Sequence, residues 1–148
     1  IMAVVATTGG SFRPGPWYTA LAKPSWTPPP WLFGPVWTVL YVLIAVAGWR
    51  VWQAVPAAGH ETRRTAALAL WGVQAALNMA WSWLMFGRRR IAAALVDAIA
   101  MLVTIIAFMI VAWPSSETAA WLFAPYLAWV AFATALNASI LRRNPAAA

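Results

Sequence analysis

With 148 residues, 64% of them hydrophobic and only 9% charged, and a mean hydropathy of +0.72, the chain is excluded from the soluble globular class and reads as an integral membrane protein of one compact domain. Cysteine is absent and histidine occurs once, which rules out a disulfide framework, a thiolate metal site and a paired-imidazole site. The formal charge of +7 is carried mostly by arginines that flank apolar runs, so it speaks of lipid headgroups and topology and not of nucleic acid.

Ile1 to Phe12 is apolar and rich in small residues, but at roughly 1.5 Å per residue it reaches only about 18 Å. It is expected to be the closing part of a first span that begins before Ile1, with a signal-peptide remnant as the alternative. Arg13 to Gly34 follows as a long connection dense in proline and aromatic residues. Four runs are then long enough to cross ~30 Å of hydrocarbon: residues 35–55, 65–86, 91–113 and 119–141. Short connections separate them, marked by Pro56 and Gly59, by Gly87 before Arg88, Arg89 and Arg90, and by Pro114, Ser115 and Ser116. His60, beside Glu61, reads as a solvated loop residue. With five spans, Arg13, Lys23, Arg88, Arg89, Arg90, Arg142 and Arg143 fall on one side and Arg50, Arg63 and Arg64 on the other. Seven against three predicts a cytoplasmic C-terminus and a cytoplasmic first loop.

Polar residues inside the spans form stripes. Gln74, Asn78, Trp81 and Ser82 share one face of the third span, Tyr126, Trp129, Ala133 and Asn137 one face of the fifth, and Trp37 and Tyr41 repeat at i and i+4 just below the loop. Two readings stay open for them: amides that hydrogen-bond between helices for about 1 kcal/mol or less, or the polar points of an otherwise apolar ligand cavity. Trp49, Trp52, Trp113 and Trp121, near span ends, read as interfacial belt residues. Asp97 is the one carboxylate within a predicted span. It reads as a proton or cation site by default, or more plainly as a side chain that snorkels toward Arg88 to Arg90 or bonds within the bundle. Gly72, Ala76 and Ala80 recur every four residues as a smooth strip suited to a homodimer through the third span.

The loop composition has its own logic. Proline fixes φ near −65° and removes a donor, so such a segment stays ordered at low entropic cost without regular structure. Trp26, Trp31 and Phe33 are then expected to form a rigid apolar lid, anchorage at the interface being the alternative.

The run WYTALAKPSWTPPPWLFGPVWTVLY, followed in order by QAALNMAW, ALVD and APYLAWVAFATALN, resembles the translocator protein family, also known as tryptophan-rich sensory proteins, TspO/MBR or peripheral-type benzodiazepine receptors. The resemblance covers essentially the whole chain. It implies an all-α bundle of five transmembrane helices, commonly dimeric, whose cavity under the first loop binds porphyrins and hydrophobic drug-like molecules, and sterols in animal members. Matched residues in the loop are Trp17, Tyr18, Leu21, Lys23, Pro24, Trp26, Pro28 and Pro29. The implied cavity lining comprises Phe33, Trp37, Tyr41, Asn78, Trp81, Trp129, Ala133, Leu136 and Asn137. No cofactor is required, and a protoporphyrin IX-like or haem-like porphyrin is the implied ligand.

One departure bears on that ligand. Animal members carry a tyrosine-containing sterol pattern near the end of the last span, whereas residues 136–142 here contain no tyrosine, which argues against cholesterol. Arginine and alanine richness points to a bacterial source and hence a bacterial cell membrane. The expected function is a porphyrin-binding sensor or receptor, with a tetrapyrrole transporter or light-dependent porphyrin degradation as alternatives. No nucleophile-base pair suggests conventional catalysis.

Overall fold

The structure is a computed structural model that describes residues 15–55 and 61–147. The first predicted span, Arg13 and His60 lie outside the described residues. Helix α1, Pro16–Ala20, is short; α2 runs Pro30–Gln53, α3 Glu61–Ser82, α4 Ile91–Ala112, α5 Glu117–Leu122 and α6 Ala124–Arg143. Among the described residues every regular element is helical.

Two boundaries depart from the hydropathy reading for reasons that involve proline. Helix α2 begins five residues before the predicted start, because Pro30 sits in the first turn, where its missing N–H is no loss and its φ is already helical. The last predicted span is divided at Phe123. Pro125 has no N–H to donate to Trp121, and Phe123 instead bonds back to the Ala120 carbonyl at 3.1 Å. Ser116 caps α5, its hydroxyl accepting from the Ala119 N–H at 3.2 Å.

Among the described residues three helical stretches are long and apolar enough to cross a membrane by length and composition: Pro30–Gln53, Ile91–Ala112 and Glu117–Arg143 counted across its break. Helix α3 has comparable length at 22 residues, but it opens with Glu61, Arg63 and Arg64 and buries Gln74 and Asn78.

The core forms around α4. Ile91, Ala94, Ala98, Met101, Ile105, Phe108 and Ala112 recur at helical spacing and are all buried, and this helix packs most extensively on α3 and then on α6. Phe108 lies against Phe123 with ring centroids 4.1 Å apart, and Phe123 meets Tyr126 edge-on at 5.6 Å. Helices α2 and α3 approach closely at Gly48, where an added Cβ would lie 2.6 Å from the Trp71 indole. That indole is itself fixed, its N–H donating to the Ile44 carbonyl at 2.8 Å.

The ends of the bundle differ in charge. The Arg89 guanidinium stands 5.9 Å from the Trp17 ring, and Asn144 contacts Ala22 through hydrogen bonds. The loop, the triple-arginine turn and the C-terminal arginines therefore share one end, as the grouping of charges requires. At the other end Arg64 lies over Trp52 at 5.5 Å and donates to its carbonyl at 2.7 Å.

Candidate ligand-binding site

The loop end of the bundle encloses a cavity whose walls come from three segments. The first is the start of the chain's described part. Pro16 opens α1, and Lys23 closes it by donating from Nζ to the carbonyls of Tyr18 at 2.7 Å, Leu21 at 3.0 Å and Thr19 at 3.1 Å. Tyr18 is thereby turned inward, 7% exposed, with its ring edge-on to Phe86 at 5.6 Å. Burial pushes its phenol pKa up. Downstream, Thr27 bonds back to the Pro24 carbonyl through both its N–H, at 3.1 Å, and its hydroxyl, at 2.7 Å, forming a turn among the prolines.

The second segment is the end of α3, where the chain widens into one π-helical turn, Trp83–Gly87. The Arg88 N–H reaches back five residues to the Trp83 carbonyl at 2.7 Å, and the Arg90 N–H reaches the Leu84 carbonyl at 2.9 Å. Such a turn shifts the facing of the side chains that follow it. Met85 and Phe86, at i+4 from Trp81 and Ser82, line the cavity beside Trp81, and Trp81 meets Phe86 edge-on at 5.7 Å. The chain leaves the turn through Arg89, whose φ of 57° is left-handed.

The third wall is one face of α6, where Ala133, Leu136, Asn137 and Ile140 follow the i, i+3, i+4, i+7 rule. With Tyr18 and Phe33 as the roof, the cavity has a volume of about 30 Å³. It has room for little more than water.

Three polar atoms around this cavity are buried without a hydrogen-bond partner: Trp81 Nε1, Trp129 Nε1 and Asn137 Oδ1. The Asn137 Nδ2 meets only the soft sulfur of Met85, at 4.0 Å. Buried polar groups are normally satisfied, and leaving one unmade costs about 1–3 kcal/mol. Of these, Trp81 Nε1 and Asn137 Oδ1 belong to lining residues, a donor and an acceptor that a ligand bearing both an acceptor and a donor would complete.

Below the cavity the polar groups are already used. Tyr41 donates to Asn78 Oδ1 at 3.2 Å, Asn78 Nδ2 donates to the Tyr126 hydroxyl at 3.2 Å, and Tyr126 donates to Met101 Sδ at 3.1 Å. Trp37 stacks on Tyr41 at 5.3 Å and meets Tyr126 and Trp129 edge-on at 6.3 and 6.4 Å.

Of the ligand residues expected from sequence, Tyr18, Phe33, Trp81, Ala133, Leu136 and Asn137 line the cavity. Trp26 is outside the lining, half-exposed and edge-on to Phe132 at 5.6 Å. Trp129 lies behind the lining, between Phe33 and Phe132, each with ring centroids 5.7 Å away. Trp37, Tyr41 and Asn78 form the bonded layer beneath. Trp31, expected in the lid, is 71% exposed and stands on the outside of α2. Met85, Phe86 and Ile140 line the cavity without being among the expected residues; Ile140 continues the Ala133 and Asn137 stripe, and Met85 and Phe86 continue that of Asn78, Trp81 and Ser82.

The remaining candidates lie elsewhere. Gly72 and Ala80 are half-buried and Ala76 is exposed, and an added Cβ at Gly72 would meet nothing within 4 Å, so the small-residue strip lies on the outer face of α3. Asp97 is buried, and its Oδ2 meets no donor. The expected bond to the arginine turn or within the bundle is not made by that oxygen, because Arg88, Arg89 and Arg90 all extend outward. Among the described residues no cluster of three or more metal-ligating side chains occurs.

A sequence model of the TspO/MBR family matches residues 1–143. The chain is 36% identical over 143 residues to protein CrtK of Rhodobacter capsulatus, an alignment covering 97% of this chain and 88% of that protein. It is 38% identical over 144 residues to tryptophan-rich protein TspO of Chlorobaculum tepidum, covering 95% and 89%. Against translocator protein of Homo sapiens it is 40% identical over 128 residues, covering 86% and 75%.

Proposed function

The chain belongs to the TspO/MBR family, and from that premise we propose that it is a five-helix receptor or sensor of a bacterial cell membrane that binds a protoporphyrin-type tetrapyrrole in the cavity under its first loop. The observation that carries this reading is the pair of unpartnered groups in the aromatic lining, Trp81 Nε1 and Asn137 Oδ1, with Trp129 Nε1 unpartnered behind them. A flat macrocycle offers π-faces to such rings, ring N–H groups to a carbonyl oxygen, and carboxylate side chains to indole donors. Ligand pockets usually span about 300–1,000 Å³. The cavity of about 30 Å³ is far below that range, so binding requires the loop to move.

The same reading places the C-terminus and the loop in the cytoplasm on charge grounds. It also has two copies pair through Gly72, Ala76 and Ala80, whose outer face leaves room for close backbone approach. Cholesterol is not part of it.

The test is a titration of the purified protein in detergent with protoporphyrin, read by tryptophan fluorescence in the dark and again under illumination. Saturable quenching that leaves the ligand intact in the light supports the receptor. Bleaching of the ligand that needs both light and Trp81 supports photochemistry, and vectorial flux in vesicles supports transport. Quenching that never saturates removes the proposal.

A further inference from the structure

Between Gly15 and Pro28 the loop makes numerous hydrogen bonds, yet nearly all are to itself. Thr19 bonds to Gly15, Lys23 to Tyr18, Thr19 and Leu21, and Thr27 to Pro24. These stiffen the segment without fastening it to anything. Among the described residues, the hydrogen bonds that tie it to another element are made by one side chain, that of Asn144. Asn144 Oδ1 accepts from the Ala22 N–H at 3.0 Å, and Nδ2 donates to the Ala22 carbonyl at 2.8 Å. Nδ2 also donates to the Ile140 carbonyl at 2.8 Å, and the Asn144 backbone N–H bonds to Ile140 at 3.1 Å and Leu141 at 3.2 Å. The amide is thus oriented by the last turn of α6 and presents its donor and acceptor to a single peptide residue of the loop.

We infer that Asn144 is the latch of the cavity: its side-chain amide holds Ala22 by both backbone groups, and release of that pair is the step that admits a ligand too large for the closed space. The inference rests on the ligand reading above for what enters, but not for the fastening itself. Three features of the placement support it. Ala22 lies between the loop's two aromatic contacts with the bundle, Tyr18 on Phe86 of the lining and Trp26 on Phe132 of α6, so the pair fastens the middle of the loop. Asn144 is carried by the helix whose preceding turns supply Asn137 and Ile140 to the lining, so the latch and the wall move as one body. Finally, Ala22 is exposed, and hydrogen bonds open to water are weak enough to exchange in solution. Asn144 is a positioning residue, acting on the ligand only through the loop.

The experiment measures hydrogen exchange across residues 17–29 of the full chain in detergent, without ligand, and then protoporphyrin association in the dark by stopped-flow tryptophan quenching. Asn144→Ala should speed exchange in the loop roughly tenfold, the scale of one to two net hydrogen bonds, and leave α4 protected. Association and dissociation of protoporphyrin should both accelerate by a similar factor. Asn144→Asp keeps the acceptor for the Ala22 N–H but loses both donated bonds, and it serves if the alanine variant does not fold; partial acceleration is expected. Unchanged loop exchange in the folded variant overturns the latch. Faster exchange with unchanged association overturns its gating role. Faster exchange in a protein that never binds protoporphyrin upholds the fastening and removes the porphyrin reading instead.

Discussion

Replacing Asn78 by alanine separates a residue that holds the bundle from one that holds a ligand. Its amide accepts from Tyr41 of α2 and donates to Tyr126 of α6, which in turn donates to Met101 of α4, so one side chain of α3 connects four helices. Deleting it removes two hydrogen bonds, worth roughly 0.6 kcal/mol each by membrane-protein double-mutant cycles and about 1 kcal/mol each in soluble proteins. It also leaves the Tyr41 hydroxyl without its acceptor, at a cost of about 1–3 kcal/mol. The expected destabilisation is therefore roughly 2–4 kcal/mol, measured by denaturing-detergent unfolding followed by circular dichroism. Tyr41→Phe removes one of these bonds and should cost about 1 kcal/mol or less. Because Asn78 is outside the cavity lining, protoporphyrin affinity of the folded Asn78→Ala variant should stay within about threefold of the parent, less than 1 kcal/mol. A stability change below about 0.5 kcal/mol together with a tenfold or greater loss of affinity would refute this reasoning and make Asn78 a ligand group.

Gly48→Ala should destabilise the fold by about 1–3 kcal/mol, because the new Cβ would meet a Trp71 indole already held by its bond to Ile44; an unaltered unfolding midpoint would mean that α2 and α3 separate freely there. Ala133→Thr adds two heavy atoms to a wall of the cavity of about 30 Å³ and should weaken protoporphyrin binding roughly tenfold while the fold survives, as quenching titrations would read. An unchanged dissociation constant would move the site off α6. Gly72→Leu with Ala76→Leu should shift the protein toward monomer in crosslinking or light scattering with porphyrin binding kept, and persistence of a full dimer would assign the interface to another helix.

The apolar runs revealed most of the helices because hydropathy and length are summed properties that tolerate local error. Their ends were less legible. Pro30 looked like loop but begins a helix, and Pro125 looked internal but breaks one. The cavity was half visible. Ala133 and Asn137 follow a 3.6-residue stripe that any helical projection displays, and Ile140 extends it. Met85 and Phe86 stand at i+4 from Trp81 and Ser82 and so extend the Asn78 stripe in the same way, within reach of helical spacing alone. Asn78 and Asn137 look equivalent in sequence, each on an aromatic stripe. What distinguishes them is whether the oxygen already has a partner, and that depends on tyrosines from other helices. The role of Asn144 had no local signal, since Ala22 is 122 positions away.

The chain has twelve tryptophans, and each indole N–H gives its own signal in a nitrogen-proton correlation spectrum once assigned by single substitutions. Titrating the labelled protein with protoporphyrin in the dark tests the central claim residue by residue. The account predicts that the indole signals of Trp81 in the lining and Trp129 behind it, both buried without a hydrogen-bond partner, move most and saturate together, while Trp49, Trp52, Trp113 and Trp121, exposed on the surface of the bundle, stay in place. Saturable shifts at those four, with Trp81 and Trp129 unmoved, would contradict it.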